Sequence, residues 1–317
     1  MKEGLKKKNI LVLCGGWSDE REISLTSGRA VHEALLSDGY RVRIMDFHSQ
    51  DKALLTSYIK SNQIDLVFNL MHGVGGEDGL VQSYLDDIDV KYVGSNSKSS
   101  EQSFNKIATK DKWLSHNIPT PKYSALSNID KNFLKLIQKS KKIIVKPISS
   151  GSSVGIKIFK INDLDVTSVK KLLESINKHY DNFIMDEYFI EEYVSGEEYT
   201  APIVDDKVLP IVKIDTRREF YNYQAKYEDD DTKFSFPSFD LEFETKIKSI
   251  CLNAFSVLES SGWGRIDFFL DQAENIKLIE LNSIPGMTSH SLVPMSAKKN
   301  GWTYLNLIET ILLTTND

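Results

Sequence analysis

Arg265-Ile266-Asp267-Phe268-Phe269-Leu270 alternates polar and apolar positions at first, Asp271-Gln272-Ala273-Glu274-Asn275 supplies turn residues, and Ile276-Lys277-Leu278-Ile279-Glu280-Leu281-Asn282 alternates again. This is the pattern of two strands joined by a turn. Pairing Asp271 with Ile276 around a loop of residues 272–275 makes Asp267 face Glu280 and Arg265 face Asn282. Directly opposed residues have Cβ atoms about 5 Å apart. Two carboxylates that close repel unless a cation lies between them. Two carboxylates and an asparagine, all hard oxygen ligands, suit Mg²⁺ held together with a substrate's phosphates, so the hairpin predicts chemistry on a nucleotide. The run after it, Asn282-Ser283-Ile284-Pro285-Gly286-Met287-Thr288-Ser289-His290-Ser291, is rich in backbone donors and hydroxyls that can face an oxyanion or a carboxylate.

At 317 residues, 41% hydrophobic and 26% charged, the chain has room for two or three domains with proper cores and an ordinary globular composition. A net charge of -6 and a pI near 5.6 leave no electrostatic footprint for nucleic acid or an anionic membrane. The basic start is followed by an apolar run only from Ile10 to Cys14, short of the about 7 to 15 residues of a secretory core. No stretch approaches the roughly 20 apolar residues of a membrane span. Cys14 and Cys251 both sit in apolar surroundings, as expected of buried thiols in a cytoplasmic protein.

Asn9 to Cys14, the helically spaced stretch to Leu36, and Tyr40 to Phe47 form a βαβ unit. Gly15-Gly16-Trp17-Ser18-Asp19-Glu20 lacks the last glycine of a dinucleotide fingerprint, although Asp46 lies where a ribose-binding acid would be. In His72-Gly73-Val74-Gly75-Gly76-Glu77-Asp78-Gly79 the acidic residues read as caps of a helix starting near Leu80. Lys142 to Pro147, then Gly151-Ser152-Ser153-Val154-Gly155, then Ile156 to Phe159 reads as strand, loop, strand. Such a loop offers N–H groups and hydroxyls to phosphate, with Lys146 as a point charge beside it. Phe189 to Thr200 is a further strand, turn, strand. Between Asp215 and Ser238 the periodicity dissolves, and the five aromatics from Phe220 to Phe234 argue for an active-site lid.

Gly15-Gly16-x-Ser18-x-Glu20-Arg21-Glu22-x-Ser24, the His72 to Gly79 loop, Lys146-Pro147, Gly151 to Gly155, Ala225-Lys226-Tyr227, Gly264 to Asp267, and Glu280-x-Asn282-x-x-Pro285-Gly286-Met287-Thr288 stand in one order along the chain. Together they resemble the D-alanine:D-alanine ligases, ATP-grasp enzymes, from about residue 9 to about residue 310. The resemblance implies an α/β chain: an amino-terminal βαβ (Rossmann-like) domain over 1–97, then a two-lobed ATP-grasp module divided at 98–188 and 189–317. It implies that ATP drives the joining of two D-alanines for peptidoglycan precursor synthesis. One carboxylate takes the γ-phosphate, and the second amine displaces phosphate from the acyl phosphate.

The site residues follow from the same resemblance. Glu20 would hold the first substrate's ammonium and join Ser152 and Tyr227 in a hydrogen-bond network. His72 would lie beside the first D-alanine, with Ser291 and Leu292 at the second. Lys106, Lys146, Ser153 and Lys226 would hold the ATP phosphates, and Glu191, Val194 and Glu198 would line the adenine and ribose pocket. Asp267, Glu280 and Asn282 would bind two Mg²⁺ ions, replaceable by Mn²⁺. Arg265 and the Gly286 amide would stabilise the oxyanion. The implied partners are ATP and D-alanine, with a homodimer as an open assembly. Ser150, the Glu191-Glu192-Tyr193-Val194 hinge, Ser283 and Ile284 depart from common family residues. Relatives that make D-alanyl-D-lactate or D-alanyl-D-serine generally lack a tyrosine at the position of Tyr227, which favours the dipeptide. Those products, and a nucleotide-binding regulator without catalysis, are the alternatives.

Overall fold

Ile10, Leu11, Val12 and Leu13 are all fully buried, because strand β1 (Asn9–Gly15) runs through a parallel sheet covered on both faces. The computed structural model describes residues 2–151, 154–216 and 232–315. Strands β2 (Arg41–Phe47), β3 (Leu66–Asn69) and β4 (Lys91–Tyr92) complete this sheet in the order β2-β1-β3-β4. The helix Arg21–Ser37 makes the crossover from β1 to β2, so the expected βαβ unit is present. Ile10 and Val12 face one core and Leu11 and Leu13 the other, as the period of two requires.

The second sheet is antiparallel. Strands β5 (Tyr123–Ala125), β6 (Lys142–Pro147), β7 (Lys157–Lys160) and β8 (Tyr188–Glu192) lie in the order β5-β8-β6-β7. The third sheet, also antiparallel, takes β9 (Gly196–Val204), β10 (Lys207–Val208), β11 (Val212–Asp215), β12 (Lys233–Ser235), β13 (Trp263–Asp271) and β14 (Ile276–Asn282). Its order is β12-β11-β9-β13-β14, with β10 paired to β9. The helix Leu241–Val257, capped by Asp240 accepting from the Phe243 amide at 2.9 Å, buries Ile247, Cys251, Ala254 and Phe255 against it. Those positions form one helical stripe.

Trp113, on the helix Lys106–Ser115, is fully buried in this third core and donates its indole N–H to the Ala254 carbonyl at 3.0 Å. The carboxy-terminal helices Leu292–Lys299 and Tyr304–Leu313 return to the first sheet, where Val293, Leu307 and Ile308 pack with Ile10, Val12 and Phe68. This return carries the loop after β14 onto the first sheet. Among the described residues no helix is long and apolar enough to cross a membrane.

The hairpin turn differs from the sequence expectation. Leu270, not Asp271, opposes Ile276. Asp271 and Asn275 close a tighter turn, in which the Asp271 amide donates to the Asn275 carbonyl at 3.1 Å and the Glu274 amide to the Asp271 carbonyl at 2.9 Å. Glu274 is left-handed at φ 59°, the geometry of a three-residue loop built on a type I turn. The Asp271 carboxylate fixes it by accepting from the Ala273 and Asn275 amides, both at 2.9 Å. A turn shortened by one residue would slide the whole pairing, but a bulge between Asp267 and Phe268 inserts Ile279 and restores it. Arg265 therefore faces Asn282 and Asp267 faces Glu280, as the sequence predicts.

Candidate active site

Arg265, Asp267, Glu280 and Asn282 share one face of the hairpin, since alternate residues of a strand point the same way. Asp267 is locked in place: its carboxylate accepts from Arg265 Nε at 3.0 Å, from Arg265 Nη2 at 3.0 Å and from Thr200 Oγ1 at 2.6 Å. Asn282 Oδ1 is buried with no hydrogen-bond partner. Among the described residues no three His, Cys, Asp or Glu side chains gather as a metal group, so any such set here must include the amide. An orphaned buried carbonyl beside two opposed carboxylates fits a hard divalent cation, which supplies the missing partner.

Residues from all parts of the chain meet in the pocket over this face. Glu20, Glu77, Lys106, Ser150, Gly151, Arg265, Glu280 and Asn282 line it. Glu20 precedes the helix Arg21–Ser37, and Gly151 lies so close that a Cβ there would stand 2.0 Å from Glu20 Oε2. Only glycine allows this approach. Lys106 Nζ donates to the Ser150 carbonyl at 2.6 Å and lies 3.6 Å from Glu280 Oε2. His72 is buried behind the pocket, where its Nδ1 lies 2.8 Å from the Ile284 carbonyl oxygen. That contact makes Nδ1 the protonated nitrogen and leaves Nε2, buried without a partner, as an acceptor. Burial pulls its pKa down, against the pull of Glu20.

The loop after β14 is pinned from the first sheet's side. The Met287 amide donates to Ser27 Oγ at 3.1 Å, and Tyr304 donates to the Met287 carbonyl at 2.5 Å. A Cβ at Gly286 would come 2.8 Å from Ser291 Oγ, so the Gly286 backbone and the Ser291 hydroxyl form one surface. Ser291 Oγ accepts from the Thr288 amide at 3.0 Å. Leu292 is buried beside Val212 and Ile214, which leaves its backbone rather than its side chain for contact with a ligand.

A second cleft opens between the two antiparallel sheets, lined by Ile144, Ile214, Phe269 and Ile279 with Lys146, Glu191, Val194 and Glu198. The apolar side chains offer faces for a planar heterocycle, and the lining also carries Lys146 and the carboxylates of Glu191, Glu192, Glu197, Glu198 and Asp215. Glu191 Oε2 pairs with Lys146 at 2.6 Å and Oε1 with Lys110 at 2.5 Å. Burial alone would raise Glu191, but the two lysines hold its carboxyl below the usual range.

The structure thus brings Glu20, Lys106, Arg265, Glu280 and Asn282 into one pocket, with Asp267 at its base, and Lys146, Glu191, Val194 and Glu198 into the adjoining cleft. Ser152, Ser153, Lys226 and Tyr227, and most of the stretch read as a lid, lie outside the described residues. Asp46 is no ribose ligand, because it forms a two-point ion pair with Arg21 at 2.7 and 2.6 Å. Asp78 caps as expected, accepting from the Gly75 and Leu80 amides at 2.7 and 3.0 Å. Glu77 does not share that work. It lines the pocket over the hairpin, where burial and the nearby Glu20 push its carboxyl up to about 8. Two residues thus went unread as site groups, Glu77 and Lys110. Glu77 was concealed by an adjacent acid that does cap, and Lys110 by resembling any helix-surface lysine.

The family model described as "D-ala D-ala ligase C-terminus" matches residues 113–313. A D-alanine–D-alanine ligase of Glaesserella parasuis is 36% identical over 97% of this chain and 98% of its own length. This chain belongs to the D-alanine–D-alanine ligase family. A second ligase of the family, from Marinomonas, is 38% identical over 98% of the chain and 96% of its own. The D-alanine–D-alanine ligase of Bacillus anthracis superposes with a TM-score of 0.79 at 31% identity, over 96% of each chain. In its complex with ATP the same ligase gives 0.78 at 27%, over 97% of each. The three sheets and their order of appearance are therefore those of an ATP-grasp ligase of this family, as the sequence predicts.

Proposed function

We propose that this chain joins two D-alanine molecules into D-alanyl-D-alanine with hydrolysis of ATP to ADP and phosphate. The observation that carries the reading is the convergence of Glu20 from the start of the helix Arg21–Ser37, Lys106 from the helix Lys106–Ser115 and Arg265, Glu280 and Asn282 from the hairpin on one pocket, next to a cleft that suits a nucleotide. Glu20 accepts hydrogen bonds from the first substrate's ammonium, turning its carboxylate toward the phosphates. A carboxylate oxygen attacks the γ-phosphorus and ADP leaves. Lys106 and Lys146 neutralise charge on the phosphates. The second D-alanine's amine, having lost a proton, attacks the acyl carbon, and phosphate leaves with its bonding electron pair. Arg265 and the Gly286 amide face the oxyanion of the tetrahedral intermediate, Ser291 takes the second carboxylate, and His72 orients the first substrate.

Asp267, Glu280 and Asn282 would hold Mg²⁺, two ions replaceable by Mn²⁺, which would supply positive charge against the phosphates. Ser152, Ser153, Lys226 and Tyr227 keep the roles that the family resemblance gives them. A cytoplasmic location, supply of peptidoglycan precursors and assembly as a homodimer belong to the same proposal. Phosphate release from Mg-ATP, with the product weighed by mass spectrometry, tests it. Release should depend on D-alanine and not on L-alanine. A D-lactate ester or a D-serine adduct formed in preference to the dipeptide would reassign the product, and no release with any of these would overturn the reading.

A further inference from the structure

Lys110 lies one helical turn after Lys106 and is completely buried. A lysine is taken wholly out of water only when its ammonium is paired and hydrogen-bonded. Here Nζ contacts Glu191 Oε1 at 2.5 Å and donates to Thr120 Oγ1 at 2.7 Å. Thr120 Oγ1 in turn donates to the Leu278 carbonyl at 2.8 Å, and the Leu278 amide donates to the Pro119 carbonyl at 2.9 Å. Leu278 is the residue just before the bulged Ile279. One buried ammonium thus ties the helix Lys106–Ser115, strand β8 and the outer edge of the metal hairpin together.

Charge settles what this arrangement does. Glu191 lies between two lysines, Lys110 on one oxygen and Lys146 on the other at 2.6 Å. With both lysines protonated the three groups sum to a net charge of about +1 in a water-poor site; burial pulls the Lys110 pKa down and Glu191 pulls it back up. Without Lys110, Glu191 would cancel Lys146 outright and hold it back from an anion. We propose that Lys110 is a positioning residue for the nucleotide: by occupying one oxygen of Glu191 it leaves Lys146 a cation available to phosphate, while its bond to Thr120 keeps β14 in place. This rests on the nucleotide reading of the cleft, deepening it by assigning a residue that touches no substrate.

The test compares Lys110→Gln, Lys110→Arg and the double variant Lys110→Gln/Glu191→Gln with the wild type, in D-alanine-dependent phosphate release and in direct binding of Mg-ATP by calorimetry. Gln removes the charge and leaves a polar amide facing Thr120, one bond shorter than the lysine it replaces. Lys110→Gln should raise KM and Kd for ATP on the order of tenfold, leaving KM for D-alanine within about twofold. The double variant returns the net charge to that of the wild type and should recover most of the lost ATP affinity. A purely structural lysine predicts that the double variant regains melting temperature, since the unpaired carboxylate is gone, while ATP affinity does not follow it. Unchanged ATP binding in Lys110→Gln, or a KM for D-alanine that rises as far as that for ATP, would overturn the proposal. Should Lys110→Gln prove too unstable to assay, Lys110→Arg decides: it keeps the charge, so KM for ATP must stay within about threefold, and a tenfold rise counts against us. An inactive wild type that binds no ATP would instead refute the nucleotide reading itself, so the two failures are distinguishable.

Discussion

Asp267 on β13 stands directly opposite Glu280 on β14, yet one residue further on Phe268 opposes Leu278 and Ile279 is left over. The bulge puts two consecutive residues, Ile279 and Glu280, on the open face of β14, while Ile276, Leu278 and Leu281 stay buried. Ile279 lines the cleft between the antiparallel sheets and Glu280 the charged pocket. One irregular step in an edge strand therefore serves both halves of the proposed nucleotide site, in keeping with the use of bulges beside active sites.

Replacing Glu280 with Gln removes a carboxylate and keeps its shape. Turnover should fall by about 10²-fold or more, in line with loss of one electrostatic stabiliser, with the melting temperature little changed. Rates at saturating Mg²⁺ and a circular-dichroism melt decide it; a near-normal rate removes Glu280 from the metal set.

Ile279→Ala takes away apolar surface from the nucleotide cleft only. The lost burial is worth about 1–2 kcal/mol, so KM for ATP should rise by roughly tenfold with kcat nearly intact. A fall in kcat at saturating ATP would mean that Ile279 acts on the Asp267–Glu280 pair rather than on the nucleotide.

Glu77 makes a prediction about pH. Its carboxyl, about 8 in the folded chain, sits above the ordinary 4.5, so folding takes up a proton in between. A raised acid contributes most below the unfolded value, and its contribution is lost as pH climbs to the folded one. Glu77→Gln should therefore melt close to the wild type near pH 5 and progressively above it toward pH 8.5. Melting curves of both proteins across this range check the sign; a constant difference would show that Glu77 is charged throughout.

An acyl-phosphate route predicts that a phosphinate mimic of the tetrahedral intermediate binds tightly only after phosphorylation by the enzyme. Inhibition should need ATP and strengthen with time. Equal affinity of the phosphinate with and without ATP argues for a different order of steps.

The opposition of Asp267 to Glu280, the βαβ unit at the amino end and the strand–loop–strand around Gly151 were legible because each depends on residues close in sequence, whose alternation states which face they take. Even there local chemistry intervened. Asp271 tightened the turn by one residue, and the adjacent apolar pair Leu278-Ile279, which breaks the alternation, was the only trace of the compensating bulge.

Other parts of the site depended on contacts between distant segments. Asp78 and Glu77 are neighbours of the same charge, but only the fold decides that one caps a helix and the other is driven into the pocket beside Glu20. Lys106 and Lys110 look alike on one helix, yet Lys110 is sealed between Glu191 and Thr120. Trp113 joins a core built mainly by residues more than eighty positions later. By itself the sequence determined the repeat of each strand and helix, and with it the chemistry each element could offer. Tertiary structure alone decided which polar groups lose water, since desolvation and charge pairing act through space between elements that no local pattern connects.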